Sequence, residues 1–200
     1  MTGIFDGSPG STPIDPDDRK GLIPSWIATR AELNAAEQEN IARAIVWVGG
    51  RRWTITDIDT KWLKGLHRRM LGDVWAWAGS FRRAETNVGI PWIEIPVALE
   101  ELIRDVRAQV ERQAWPPDEI AVRFHHRLTF IHLFPNGNGR HARFAADVLV
   151  EALGRTRFDW GAGGKLTSTG QMRERYISAL RHADRDGDIQ PLLAFARTLT

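Results

Sequence analysis

The chain has 200 residues, 42% apolar and 26% charged, enough to bury a sizeable core and suited to one globular domain, or a domain with an arm. The absence of cysteine excludes disulfides, a thiolate nucleophile and Cys-ligated zinc, and suits a reducing compartment. The formal net charge is +2; the pI near 9.4 reflects how little titrates between His and the Lys/Arg groups, and argues little for nucleic acid.

The opening, MTGIFDGSPGSTPIDPDDRK, lacks a basic start followed by an apolar run, and no stretch approaches the roughly 20 apolar residues of a membrane helix. A cytoplasmic location with no membrane partner is therefore the expectation. Residues 1–24, rich in Gly, Pro, Ser and Asp and without period, are expected to form a flexible arm dispensable for folding.

A capping box, Thr29 with Glu32, opens a helix within 25–50 that carries Leu33, Ala36, Ile41, Ala44, Ile45 and Val48 and ends at Gly49-Gly50. A second helix starts near a Thr56 or Asp59 cap and carries Leu63, Leu66 and Met70. Helical period then breaks over 74–96, where alternation with Gly89 and Pro91 predicts a short hairpin. VALEELIRDVRAQVERQ resumes the helix and WPP stops it. Pro117 at N1, with Ile120, Phe124, Leu128 and Ile131, predicts a buried helix running into His132. Phe144 to Ala152 mark another, stopping at Gly154, and two more are read in STGQMRERYISALRHA and IQPLLAFARTL. GAGG at 161–164 reads as a loop, because no strand precedes it. The fold class is mainly α, with one small β-hairpin.

HLFPNGNGRHAR, residues 132–143, is the segment that carries chemistry. Gly137, Asn138 and Gly139 fall where a helix begins, so unpaired N–H groups and the positive dipole end favour an anion. Arg140 and Arg143 stand three apart on that first turn, which has no acid to offset them, so a negative charge must come from elsewhere. The planar donor fork of Arg suits phosphate oxygens. His132, beside that cradle, is placed to take the proton of an attacking hydroxyl, and nearby positive charge keeps its imidazole neutral.

This segment resembles the signature of the Fic family, His-x-Phe-x-Asp/Glu-Gly-Asn-Gly-Arg-x-x-Arg. LHRRMLGDVWAWAGSFR and the Tyr176 to Asp188 region also resemble the family, so the similarity covers most of 55–197, with a Fic domain read over 51–200. The N-terminal arm and helix resemble the branch called mobile mystery protein B. The resemblance implies a helical Fic bundle with a hairpin flap. It also implies transfer of AMP from ATP, with Mg2+, to a hydroxyl side chain (Ser, Thr or Tyr) of a target protein, pyrophosphate being released. By it His132 is the general base and Phe134 anchors the loop. Gly137, Asn138 and Gly139 hold phosphate oxygens, and Arg140 and Arg143 hold the β/γ end. The flap, Asn87, Val88, Gly89, Ile90 and Trp92, receives the target as an added strand. An antitoxin or other regulator is a further partner of the kind implied.

The metal-binding Asp/Glu of the signature is Asn136 here, and a neutral amide oxygen is a weaker Mg2+ ligand than a carboxylate. Many Fic proteins also carry an inhibitory helix whose glutamate pairs with the second motif Arg. The family pattern points to Glu39, in AAEQEN, but the helical phase points elsewhere. With Leu33 as origin and about 100° per residue, Glu37 falls at roughly 40°, amid Ala44 and Val48, where a carboxylate needs a partner. Glu37 is therefore the inhibitory residue expected, with Glu39 the alternative. Other readings are a Fic-type phosphotransferase moving phosphate or phosphocholine, and a catalytically weak nucleotide-binding module. A metal hydrolase on His125, His126, His132 and His141 lacks an acidic ligand at matching spacing. A nucleic-acid face at KGLHRRM reads instead as a solvated helix face, and nucleic acid is not an expected partner.

Overall fold

The computed structural model describes residues 16–161 and 170–197. Among them the regular elements are helices: α1 Pro16–Arg19, α2 Arg30–Gly49, α3 Thr60–Leu71, α4 Ile95–Glu111, α5 Pro117–Ile131, α6 Asn138–Ala152, α7 Gly170–Asp186 and α8 Gln190–Ala196. The fold is the mainly α bundle expected. Most of the expected arm and the 162–164 part of GAGG lie outside the described residues.

The helix ends follow side-chain chemistry. The capping box of α2 is complete: Thr29 Oγ1 accepts from Glu32 N at 3.2 Å, and the Glu32 carboxylate accepts from Thr29 N at 2.9 Å. Asp59, rather than Thr56, caps α3, accepting from Trp62 N at 2.7 Å. Pro117 opens α5, and Gly154, at φ 80°, follows α6 in the left-handed region that glycine adopts without Cβ strain.

α5 and α6, joined by the loop 132–137, form the most extensive helix pair, with α4, α3 and α8 packed around them. Phe124, Leu128, Ile131, Ala142, Ala145 and Leu149 fill the seam and are buried. α2 lies on α3 through Leu33, Glu37, Asn40, Ala44 and Val48, a stripe in which two polar residues demand partners. Asn40 finds them at the end of α3, donating to Arg69 O at 2.9 Å and accepting from Asp73 N at 2.9 Å. Its two-way amide thus fixes how α2 is seated.

At the end of the arm, Ile23 N donates to Val74 O at 2.9 Å, Ala76 N to Gly21 O at 2.8 Å, and Leu22 bridges Trp75. One expectation changes. The hairpin over 87–95 is replaced by bends and a 3-10 turn, Trp92–Glu94, running into α4. The carbonyl of Ile90 accepts from the Arg82 side chain, and Pro91 has no N–H to lend to a ladder.

Candidate active site

His132 terminates α5 in the left-handed conformation, φ 59° and ψ 65°. A non-glycine residue pays for this geometry, so the surroundings must hold it. Arg82 does so, its Nε donating to His132 O at 2.7 Å. Gly89 lies directly over the same residue: a Cβ there would come within 2.6 Å of His132 Cβ. His132 is 8% exposed beneath this loop. Burial first, then the Arg82 charge, push its pKa down to about 4, against a backbone hydrogen bond at Thr129. His132 is therefore neutral at pH 7, chiefly because it is buried, and Arg82 is the cation that adds to the effect.

Phe134 is fully buried, stacked on His67 at 3.7 Å and edge-on to His141 at 5.0 Å. Burying such a ring contributes about 2–3 kcal/mol, enough to seat the loop. His67 supports the loop a second time. Its Nδ1 accepts from Gly79 N at 2.9 Å, so Nε2 carries the hydrogen and donates to Asn136 O at 3.0 Å. Asn138, read as a phosphate donor, instead closes its side chain onto the loop: Nδ2 donates to Phe134 O at 2.7 Å and Oδ1 accepts from Phe134 N at 2.9 Å. What Asn138 offers a ligand is its backbone N–H at the start of α6. Gly137, at φ 80°, leaves 2.7 Å between an added Cβ and Leu71 Cδ1, so only glycine fits the turn.

The two motif arginines have separate partners. Arg140 Nη1 donates to Glu37 Oε2 at 2.7 Å, while Glu37 Oε1 accepts from Trp75 Nε1 at 2.8 Å. Glu37, from α2, therefore supplies the negative charge the first turn of α6 lacks, and on the first motif arginine rather than the second. The indole N–H holds one carboxylate oxygen and Arg140 the other. Arg143 lies over the Tyr176 ring, 5.1 Å from its centroid, and Tyr176 Oη bonds His125 Nε2 at 3.0 Å. Glu39 is exposed and pairs with Arg43 at 2.8 Å, away from the loop.

Of the flap residues, Asn87 and Val88 are exposed, Gly89 covers His132, Ile90 is half-buried and Trp92 is 39% exposed. Arg82, His67, Trp75 and Tyr176 do structural work at the site that the sequence reading missed. For Arg82 the available signal was its place at the end of LHRRMLGDVWAWAGSFR, a stretch that resembles the family; its burial, unlike that of exposed Arg83, is purely tertiary. His125, His126, His132 and His141 do not converge: His125 faces Tyr176, His126 bonds Asp184 at 2.7 Å and His141 bonds Leu63 O at 3.0 Å. Among the described residues no group of three or more His, Cys, Asp or Glu is placed to hold a metal ion.

The Fic/DOC family model matches residues 57–150. Protein adenylyltransferase Fic of Drosophila melanogaster is 30% identical over 149 residues, covering 72% of this chain and 28% of its own length. Its namesake in Nematostella vectensis is 29% identical over 146 residues, covering 68% of this chain and 30% of itself. The chain thus spans less than a third of these relatives. Among solved structures, the BepC protein of Bartonella tribocorum, a VirB-translocated effector with bound AMPPNP, superposes with a TM-score of 0.67 at 17% identity, over 90% of this chain and 96% of that one. Fic-1 from C. elegans gives 0.61 at 20% identity, over 88% and 51%. A histidine-led loop clamped between two packed helices, a helix start lined with arginine and a backbone shared with these proteins lead to one assignment: the chain belongs to the Fic/DOC family.

Proposed function

We propose that the chain is a protein adenylyltransferase, moving AMP from ATP to a Ser, Thr or Tyr hydroxyl of a target protein, and that α2 restrains it. The hydroxyl oxygen bonds to the α-phosphorus, the bond to the β-phosphate oxygen breaks, pyrophosphate departs and the hydroxyl proton passes to His132. The backbone N–H groups of Gly137, Asn138 and Gly139 then face phosphate oxygens, with Arg140 and Arg143 toward the β/γ end. One observation carries the reading: a carboxylate from a separate helix, Glu37, sits 2.7 Å from Arg140 at the start of α6, where a phosphate would be drawn. The names of the curated relatives support the activity, and the AMPPNP bound to BepC supports the nucleotide.

The target is read as lying along 87–92, where exposed Val88 and Trp92 offer apolar contacts. A regulator, such as an antitoxin, would act by moving α2, and the absence of cysteine supports a reducing compartment such as the cytoplasm as the setting. Asn136 contributes a neutral amide where the family signature has a carboxylate, and the donors of this loop do not fit a protein-held Mg2+. No step is routed through the ion.

The Glu37→Gly protein, incubated with α-labelled or γ-labelled ATP, tests the reading, with His132→Ala in the same background as control. AMP transfer leaves α label on protein and no γ label, and His132→Ala abolishes it. Retained γ label instead establishes phosphate transfer, the alternative that Asn136 favours. Label from neither position overturns both and leaves a nucleotide-binding module.

A further inference from the structure

Arg82 is 2% exposed, yet it belongs neither to the signature loop nor to the docking segment. On one side it takes three successive carbonyls of the chain around the base: Arg82 N donates to Leu133 O at 3.0 Å, Nε to His132 O at 2.7 Å and Nη2 to Ile131 O at 3.5 Å. On the other side Nη1 donates to Ala84 O at 2.9 Å and Nη2 to Ile90 O. Glu85, 3.8 Å from Nη1, is the acidic side chain paired with it. One planar fork thus bonds both the turn carrying His132 and the two ends of the loop lying over it. The carbonyls of Ile131 and His132 are also the negative end of the α5 dipole, where a cation is favoured. Gly89 completes the contact, since an added Cβ would lie 2.6 Å from His132 Cβ and 2.9 Å from Arg82 Nη2.

We propose that Arg82 is a positioning residue that locks the 84–90 loop to the His132 turn, so that the order of one sets the placement of the other. It rests on the transferase reading, in which the target meets the base at this seam. Lysine keeps the charge but cannot span the four carbonyls that the guanidinium bonds, so Arg82→Lys separates geometry from charge. Arg82→Gln removes both.

In the Glu37→Gly background, Arg82→Lys is expected to lower kcat by on the order of 100-fold, the effect of an ångström-scale misplacement, with little change in KM for ATP. Amide hydrogen exchange should quicken together over 84–90 and 131–134 while the interior of α4 stays protected, which separates local release from unfolding. Arg82→Gln should also shift the acid limb of kcat/KM to higher pH, because the cation next to His132 is gone; Arg82→Lys should not. Should the Arg82 variants not fold, Gly89→Ala keeps the guanidinium and forces the seam apart, and the same paired rise in exchange is expected. Faster exchange confined to 84–90 with kcat held, or one acid limb for Lys and Gln, overturns the proposal. If even the parent transfers no AMP, the function reading fails, while the paired exchange still decides the coupling.

Discussion

Glu37 Oε2 lies 2.7 Å from Arg140 Nη1, joining residues 103 positions apart in sequence across the α2 and α6 helices. Glu37 is 7% exposed and Arg140 26%, so the pair is screened far less than a surface bridge. Glu37→Gly is expected to raise auto-AMPylation by at least about tenfold, the value of roughly 1.4 kcal/mol of lost competition at Arg140. Glu39→Gly should leave it unchanged; a gain for Glu39→Gly alone would transfer the brake from Glu37 to Glu39.

Trp75→Phe keeps the ring stack with Trp77, at 5.0 Å, but removes the indole N–H that holds Glu37. A partial release follows: auto-AMPylation above the parent and below Glu37→Gly, with a stability loss of about 1–2 kcal/mol for the unmade bond. Labelled-ATP rates on the three proteins give the order, and equal rates for Trp75→Phe and parent would show the indole dispensable.

Asn138→Ala removes both hydrogen bonds to the Phe134 backbone and leaves a buried donor and acceptor unpaired, costing about 2–3 kcal/mol. If Asn138 were only a phosphate ligand, denaturation midpoints would not move. Urea melts of parent and variant separate the two roles.

Asn136→Asp restores a carboxylate at the signature position and should lower the Mg2+ concentration giving half-maximal transfer. A titration in the Glu37→Gly background measures it; an unchanged midpoint would show that residue 136 is not where the ion is felt.

Stability should peak near neutral pH. Burial pushes His132 and His141 down to about 4, and His67 and His125 well below their usual value. These histidines bind fewer protons folded than unfolded, so stability falls as pH drops from 6.5 toward 4. Asp147 runs the other way: burial, against bonds from Trp160 and Phe158, raises it to about 7. The folded state then favours the neutral acid, and stability declines as pH rises from 3.8 to about 7. Asp147→Asn keeps an oxygen for Trp160 Nε1 and should raise Tm at pH 8 by several degrees, with little effect at pH 4. Equal Tm shifts at both pH values would remove the titration argument.

Period and caps located the helices, because an amphipathic stripe and a capping residue are local properties of a few adjacent side chains. Thr29 with Glu32 and Pro117 each announced a start, and the 100° phase put Glu37 on the buried face of α2. The hairpin was misread for the same locality: alternation near Gly89 looked like a strand, while the acceptor at Ile90 was claimed by Arg82, far across the fold.

The order of polar groups in HLFPNGNGRHAR, with its helix start, its histidine and its surplus of arginine, was determined by sequence alone, since chemistry within one turn of chain needs no partner. Which charge meets which arginine, how deeply His132 is buried and which cation lies beside it, and where the Asn138 amide is paired were decided only by tertiary structure. These depend on helices far apart in the chain being packed together, and burial turns each such polar contact from optional into obligatory.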